Sequence, residues 1–333
     1  MELLEALSQR RSFRSVAGSG SMPGMNSYWT RRTAGRTEVA LREIPIPIPI
    51  PQAQQRLIRV RAAGLNRGEL LSAGTEWKPA GVELAGEDVT TGERLMGRCK
   101  GGFAEFALLE ASEVLPIPDT LSFEEAAAVP LAFLVAYDML VSQGQLRSGE
   151  RLLIVGASSG VGVACLQAGK LLGARVAGTS SSVDKLAVLS MLGLDLAFPG
   201  AEFADRFLAT TAGQGAQLVI NAVGGSQFPA CLQVLGYEGR LAVVGSLDGV
   251  LSAPIDLAAV HEKRLRIFGV SNRLRSALAK AETVAGFAKD WLPALAAGRL
   301  RPHLHSVFPM EQLAAAIATM ENNRHTGKLV VRW

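Results

Sequence analysis

Arg151-Leu-Leu-Ile-Val-Gly-Ala-Ser-Ser-Gly-Val-Gly162 sets the architecture of this 333-residue chain. Arg151 to Val155 is a short apolar run of the kind buried inside a parallel sheet. It passes directly into Gly156, Ala157, Ser158, Ser159, Gly160, Val161 and Gly162. Small or apolar residues then recur at helical spacing, at Val161, Ala164, Cys165, Ala168, Leu171 and Leu172. The glycine-rich turn therefore opens a helix, whose first N–H groups lack partners within the helix and face outward. A diphosphate fits there, because oriented N–H dipoles favour its charge and small residues let it approach the backbone. A second strand over 174–179 completes a strand–turn–helix–strand unit. That setting favours a dinucleotide site over the alternative, a βα turn with a purely structural role.

The second strand runs into Thr179-Ser-Ser-Ser182, about twenty residues past the turn, where an NAD site offers Asp or Glu to the ribose hydroxyls. No acid stands there. Ser180 and Ser181 with Lys185 can instead hold a 2′-phosphate, the hydroxyls donating and the ammonium supplying charge. The expected cofactor is accordingly NADPH. The other reading makes the serines a helix cap and puts Lys185 on a solvated face.

The length favours two domains, and 48% hydrophobic content supplies enough apolar surface to bury. The longest apolar run, Ala126 to Tyr137, is interrupted by Pro130 and falls short of the roughly 20 residues a spanning helix needs. A membrane is therefore not implied. Formal charge is +4, and Arg exceeds Glu by seven to four within the first 43 residues. Most of the excess thus lies in a peripheral segment, and nucleic acid is not implied. Cys99, Cys165 and Cys231 are too scattered for a disulfide framework or a metal cage, which fits a reducing cytoplasm. Residues 1–24 read as a flexible extension without the apolar core of a secretory signal.

Short β-like pieces occupy the first third. Ile44 to Pro51 alternates Ile and Pro and must be extended, Leu57 to Ala62 alternates apolar and basic residues, and Gly92 to Leu108 has the glycine punctuation of a small barrel. Ser122-Phe-Glu-Glu125 is a capping box. Strand–helix units follow through about Val270, then helices over 274–292 and 310–320 and a closing strand over 328–333. The fold class is α/β.

Two dehydrogenase families share the turn. The short-chain dehydrogenases need a Tyr-x-x-x-Lys pair, and Tyr28, Tyr137 and Tyr237 are followed at that spacing by Arg32, Val141 and Leu241. The chain more closely resembles the medium-chain dehydrogenase/reductases, in their zinc-free quinone oxidoreductase branch. The resemblance covers about residues 26–333. It rests on Arg61-Ala-Ala-Gly-Leu-Asn-Arg-Gly-Glu69, Gly101-Gly-Phe-Ala-Glu-Phe106, Ala126-Ala-Ala-Val-Pro130, Asn221-Ala-Val-Gly-Gly225, Gly239-Arg-Leu-Ala-Val-Val-Gly-Ser246 and Thr326-Gly-Lys328, in that order.

The resemblance implies a Rossmann doubly wound parallel sheet over 126–272 plus a GroES-like β domain from 25–125 and 273–333, with the active cleft between them. It also implies a homodimer joined through an edge strand, for which Leu265 to Val270 is the apolar candidate. Zinc alcohol dehydrogenases of this superfamily carry Cys where Asn66 stands, and His where Val82 precedes Glu83; no metal is expected. The chemistry then implied is hydride transfer from NADPH to a quinone or an α,β-unsaturated carbonyl.

Asn66 matches the family's residue near the nicotinamide, holding cofactor or substrate carbonyl, or else it only forms a turn before Arg67-Gly68. Asn221 and Val223, Gly245 and Ser246, and Phe268, Gly269 and Val270 would line the cofactor from successive strand ends, or serve as ordinary turns. Glu69 is a candidate proton donor, or a solvated carboxylate. Leu71 and Val135 replace hydroxyl-bearing residues of the family, and Pro199-Gly200 replaces a Tyr near the 2′-phosphate. Two alternatives stand beside the quinone reading. One is an enoyl reductase of acyl or polyketide chains, whose domains the segments 62–66 and 101–106 also resemble. The other is a non-catalytic NADPH-binding protein of the same fold.

Overall fold

The computed structural model describes residues 24–47, 54–71 and 73–333. The expected N-terminal extension, up to residue 23, and the later part of the Ile–Pro repeat lie outside the described residues. The chain divides into two compact units. The first runs to Pro130 and takes in Ser306–Asn323 and Leu329–Trp333; the second comprises Leu131–His305 and Arg324–Lys328.

In the first unit, β1 (Gly24–Thr33) pairs antiparallel with β2 (Arg36–Pro45) and with the short β4 (Lys78–Pro79). A larger sheet is built from β3 (Gln55–Gly64), β5 (Glu83–Asp88), β6 (Arg94–Cys99), β7 (Phe106–Pro116), β14 (Leu304–Pro309) and β15 (Lys328–Arg332), in the order β14-β15-β3-β5-β6-β7. β3 bonds to β7 as well as to β5, so β3, β5, β6 and β7 close on themselves as a small barrel. Alternation along β3 sends Ile58 and Val60 inward, where they meet Leu84, Leu95 and Leu109 and the apolar face of helix Leu313–Glu321. The capping box is formed as expected: Ser122 Oγ accepts from Glu125 N, and the Glu125 carboxylate accepts from Ser122 N.

The second unit holds a parallel sheet of β8 (Arg151–Val155), β9 (Arg175–Ser180), β10 (Leu196–Pro199), β11 (Ala216–Asn221), β12 (Leu235–Val243) and β13 (Arg266–Gly269). Their order is β10-β9-β8-β11-β12-β13. The chain winds outward from β8 to β10, then returns and winds the other way from β11 to β13, so the direction reverses between β8 and β11. Leu153, Val155, Val219 and Leu241 are buried against Phe203, Phe207, Cys231 and Leu232. The ladder pairs Asn221 with Val155 and with Val243, and Val243 with Gly269, which aligns the strand ends in one row.

One boundary differs from expectation. Residues 273–305 pack within the second unit. The reason is a long-range contact: Phe287 and Trp291 are almost wholly buried, both stand edge-on to Tyr137, and Tyr137 Oη donates to Asp290 at 2.6 Å.

Arg240 on β12, 6% exposed, donates twice to Glu150, at 3.0 and 2.7 Å, and to the carbonyl of Gly144 at 2.9 Å. Burial of Glu150 opposes ionisation, but the guanidinium and the Arg147 N–H outweigh it and hold its carboxyl below the usual range. Glu150→Gln should therefore cost about 3 kcal/mol near neutral pH by leaving a buried cation without its partner. Because the folded carboxyl is depressed, the wild-type contribution is complete above the ordinary carboxylate range and is lost as pH falls through the folded value. Urea unfolding of both proteins should show the gap narrowing in acid.

Candidate functional site

The turn is anchored from the neighbouring strand. Gly156 has φ +87°, a left-handed conformation glycine adopts without steric cost, and its N–H donates to Thr179 Oγ1 at 3.1 Å. Ala157 N donates to the Thr179 carbonyl at 2.9 Å. Ser159 is the N-cap of helix Gly160–Leu171: its Oγ accepts from Gly162 N and donates to the Gly156 carbonyl, both at 3.0 Å.

The free N–H groups expected of the turn and the helix's first residues are thus partly taken within the protein: those of Gly156 and Ala157 by Thr179, and that of Gly162 by Ser159. Gly162 is needed instead for closeness, since a Cβ there would lie 2.6 Å from the Ala157 carbonyl oxygen. Ala157 and Gly162 are buried beneath the turn, while Ser158, Ser159, Gly160 and Val161 are half-buried and form its outer surface.

Of the serines beyond β9, Ser180 is buried with its Oγ 3.5 Å from Ser158 Oγ, which turns it toward the glycine-rich loop. Ser181 is exposed. Ser182 is the N-cap of helix Val183–Met191, accepting from Lys185 N at 3.4 Å. The capping role expected of the run thus falls to Ser182, one residue past the two expected to hold phosphate. Lys185 is half-buried in that helix's first turn.

Asn221, fully buried at the end of β11, spends its side chain on its own loop. Its Oδ1 accepts from Val223 N and Gly224 N at 3.0 Å, and its Nδ2 donates to the Gly224 carbonyl at 2.9 Å. It therefore shapes the loop in which Val223 sits. Gly245 and Ser246 follow β12 and are half-buried; at the edge strand β13, Gly269 is exposed, Phe268 half-buried and Val270 buried.

In the first unit, Asn66 precedes helix Arg67–Leu71. Its main-chain N–H donates to Glu69 Oε1 at 3.0 Å, and Glu69 Oε2 accepts from Gly81 N at 3.0 Å. The Asn66 amide donates to Glu83 Oε1 at 2.8 Å and to the Gly64 carbonyl at 3.3 Å.

A family model described as zinc-binding dehydrogenase matches residues 160–285. A phenolphthiocerol/phthiocerol polyketide synthase of Mycobacterium tuberculosis is 31% identical over 298 residues, covering 84% of this chain and 14% of that protein. The chain thus spans only a small part of the length of the polyketide synthases it matches. The CurK enoyl reductase structure is 26% identical, with TM-score 0.75, covering 88% of this chain and 95% of that one. The quinone oxidoreductase of Thermus thermophilus, solved also as its complex with NADPH, is 32% identical, with TM-score 0.78 and coverage of 93% and 100%. The chain belongs to the medium-chain dehydrogenase/reductases, in their quinone oxidoreductase-like branch.

The matching model's description raises zinc, and this donor set does not fit it. Zinc needs thiolate, imidazole or carboxylate lone pairs in a tetrahedral group. Asn66 turns its amide N–H groups toward Glu83 and the Gly64 carbonyl, and position 82 is Val. The nearby Cys99 thiol is pushed well above its ordinary range by burial, with the charges of Glu69 and Glu83 adding to it. Among the described residues no group of three or more His, Cys, Asp or Glu is arranged to hold a metal.

Two features of the site escaped the sequence. Asp248 accepts from Ser226 N and Val250 N at 2.9 Å, and its carboxylate lies where a Cβ on Gly224 would stand. Nothing in its sequence neighbourhood pointed to that. Thr326-Gly-Lys328 served only as a family mark. In the structure Gly327 N donates to the Ser158 carbonyl at 2.9 Å, Gly327 bridges Ser159, and the Lys328 stem runs across Gly160, where a Cβ would meet its Cδ at 2.7 Å.

Gly162→Ala should destabilise the second unit by about 2 kcal/mol, because the added methyl must displace the Ala157 carbonyl. A fall in the urea midpoint with unchanged slope checks it.

Proposed function

We propose that this protein is an NADPH-dependent oxidoreductase that reduces a quinone or an α,β-unsaturated carbonyl without zinc. The observation that carries the reading is the turn Gly156 to Gly162, placed where the parallel sheet reverses direction and followed by Ser180 in place of an acid. When bound, NADPH supplies a hydride from its nicotinamide C4. The outer surface of the turn, Ser158 to Val161, receives the diphosphate, with the helix dipole adding to the N–H donors. Ala157 and Gly162 shape that surface from beneath. Ser180, Ser181 and Lys185 take the 2′-phosphate, and Asn221, Val223, Gly245, Ser246, Phe268, Gly269 and Val270 hold the loops along the row of strand ends. Asn66 meets the nicotinamide half.

Since the donor set does not fit zinc, the acceptor must be activated by its own conjugation, which is why quinones and enones are the substrate class. Glu69 is assigned no proton transfer: with both oxygens accepting from main-chain N–H groups, it clamps Asn66 to Gly81. Identity to a polyketide synthase supports a second reading, reduction of an enoyl chain.

Steady-state NADPH oxidation with a quinone, an enone and a crotonyl thioester separates the readings. Turnover of the first two is expected; turnover of the thioester alone selects the enoyl reading. NADPH binding without reduction of any would make the protein a non-catalytic binder and overturn the enzyme reading.

A homodimer joined through β13 is also proposed. Among the described residues that strand ends the sheet, with Ile267 exposed at 39%, and an apolar sheet edge favours a partner. Among the described residues no helix is long and apolar enough to cross a membrane. Cys99, Cys165 and Cys231 are free thiols, which fits a reducing cytoplasm, where we place the protein. Light scattering after size exclusion should give twice the chain mass; a monomer at all concentrations refutes the dimer.

A further inference from the structure

The amide of Asn66 is not free to present either end. Glu83 is 0% exposed and its Oε1 accepts one amide hydrogen at 2.8 Å, while the Gly64 carbonyl accepts the other at 3.3 Å. An Asn side chain has two donors, both of them on its nitrogen. Turning the amide over would set its oxygen against a carboxylate and a carbonyl, lone pair against lone pair. Gly64 makes the arrangement possible, because a Cβ there would meet the Glu83 carboxylate and lie 2.6 Å from the Ala127 carbonyl.

Resting on the reading that Asn66 meets NADPH, we propose that Glu83 is a positioning residue that fixes the Asn66 amide with its nitrogen inward. Asn66 therefore acts on the cofactor as an acceptor. Its carbonyl oxygen, with two lone pairs, takes a hydrogen from the nicotinamide carboxamide or from a hydroxyl of the adjoining ribose. It does not donate to a substrate carbonyl, so the amide helps to orient the hydride donor and leaves the acceptor to other groups. A buried carboxylate is costly unless hydrogen-bonded. Its presence at position 83, where an apolar residue would pack without that cost, is accounted for by this orienting role.

Glu69, which holds the Asn66 main-chain N–H, and Cys99, whose thiol is kept protonated by burial and by both carboxylates, lie beside the pair. The Arg67 guanidinium bonds elsewhere, to the Met320 carbonyl and to Asn323 Oδ1.

Reversing the polarity of the bond tests the proposal. Asn66→Asp keeps an acceptor toward the cofactor but sets two carboxylates against each other, and such a pair holds one proton until well above the ordinary carboxylate range. Binding of NADPH, and of 2′-phospho-ADP-ribose, which lacks the nicotinamide, is measured by calorimetry. The proteins compared are wild type, Asn66→Ala, Asn66→Asp, and Asn66→Asp combined with Glu83→Gln.

Wild-type affinity should show no step attributable to the pair. Asn66→Asp should bind NADPH near wild-type strength in mild acid and lose about tenfold as the shared proton leaves. In the double variant the amide introduced at position 83 donates to the carboxylate introduced at position 66, so tight binding should return and the step should vanish. None of the four proteins should differ in binding the truncated ligand.

A double variant that binds NADPH as weakly as Asn66→Ala, or an Asn66→Asp without the pH step, overturns the orienting role while NADPH binding by wild type keeps the cofactor reading. Absence of NADPH binding by wild type overturns both.

Discussion

The second unit depends on one geometric constraint: the chain must leave β8 at Val155 and enter a helix within a few residues. Gly156 makes the reversal through a left-handed φ, and Gly162 lets the helix's first turn close onto the Ala157 carbonyl. Thr179 holds the turn from β9 through both its hydroxyl and its carbonyl. A single methyl at either glycine breaks this geometry, by strain at one and by collision at the other. What the constraint yields is a helix N-terminus presented at the reversal point of a parallel sheet, where dipoles and strand ends converge.

The same turn is held from a distance in sequence. Gly327, with φ +80° and no room for a Cβ beside the His303 carbonyl, donates to Ser158, and the stem of Lys328 covers Gly160. The glycines at 160 and 327 are therefore paired requirements, one clearing space for a side chain and the other for a backbone. In the first unit carboxylates take over the role of holding the chain. Glu69 accepts from the main-chain N–H of Asn66 and Glu83 from its side-chain amide.

What could be read beforehand followed the strength of local pattern. The strand Arg151–Val155, the helix after it and the capping box at Ser122 are written within a few consecutive residues, and each stands where periodicity and capping rules put it. The Rossmann-type parallel sheet and the separate antiparallel barrel were legible from the same patterns together with the family's ordered motifs. The edge of the second unit was not, because what retains residues 273–305 there is the contact of Phe287, Trp291 and Asp290 with Tyr137, more than a hundred positions away. Site detail failed for a related reason. Ser159 consumes the Gly162 N–H through a hydroxyl that the sequence equally offers to a ligand, and Asp248 and Lys328 reach the strand ends only through tertiary structure.

Whether the turn and the serines after β9 together take the 2′-phosphate of NADPH is decided by titrating wild type and Lys185→Ala with NADPH and with NADH. Wild type should show a strong preference for NADPH that collapses in the variant while NADH binding is unchanged. An equal affinity for both nucleotides in wild type, or a preference untouched by the substitution, would refute the phosphate site.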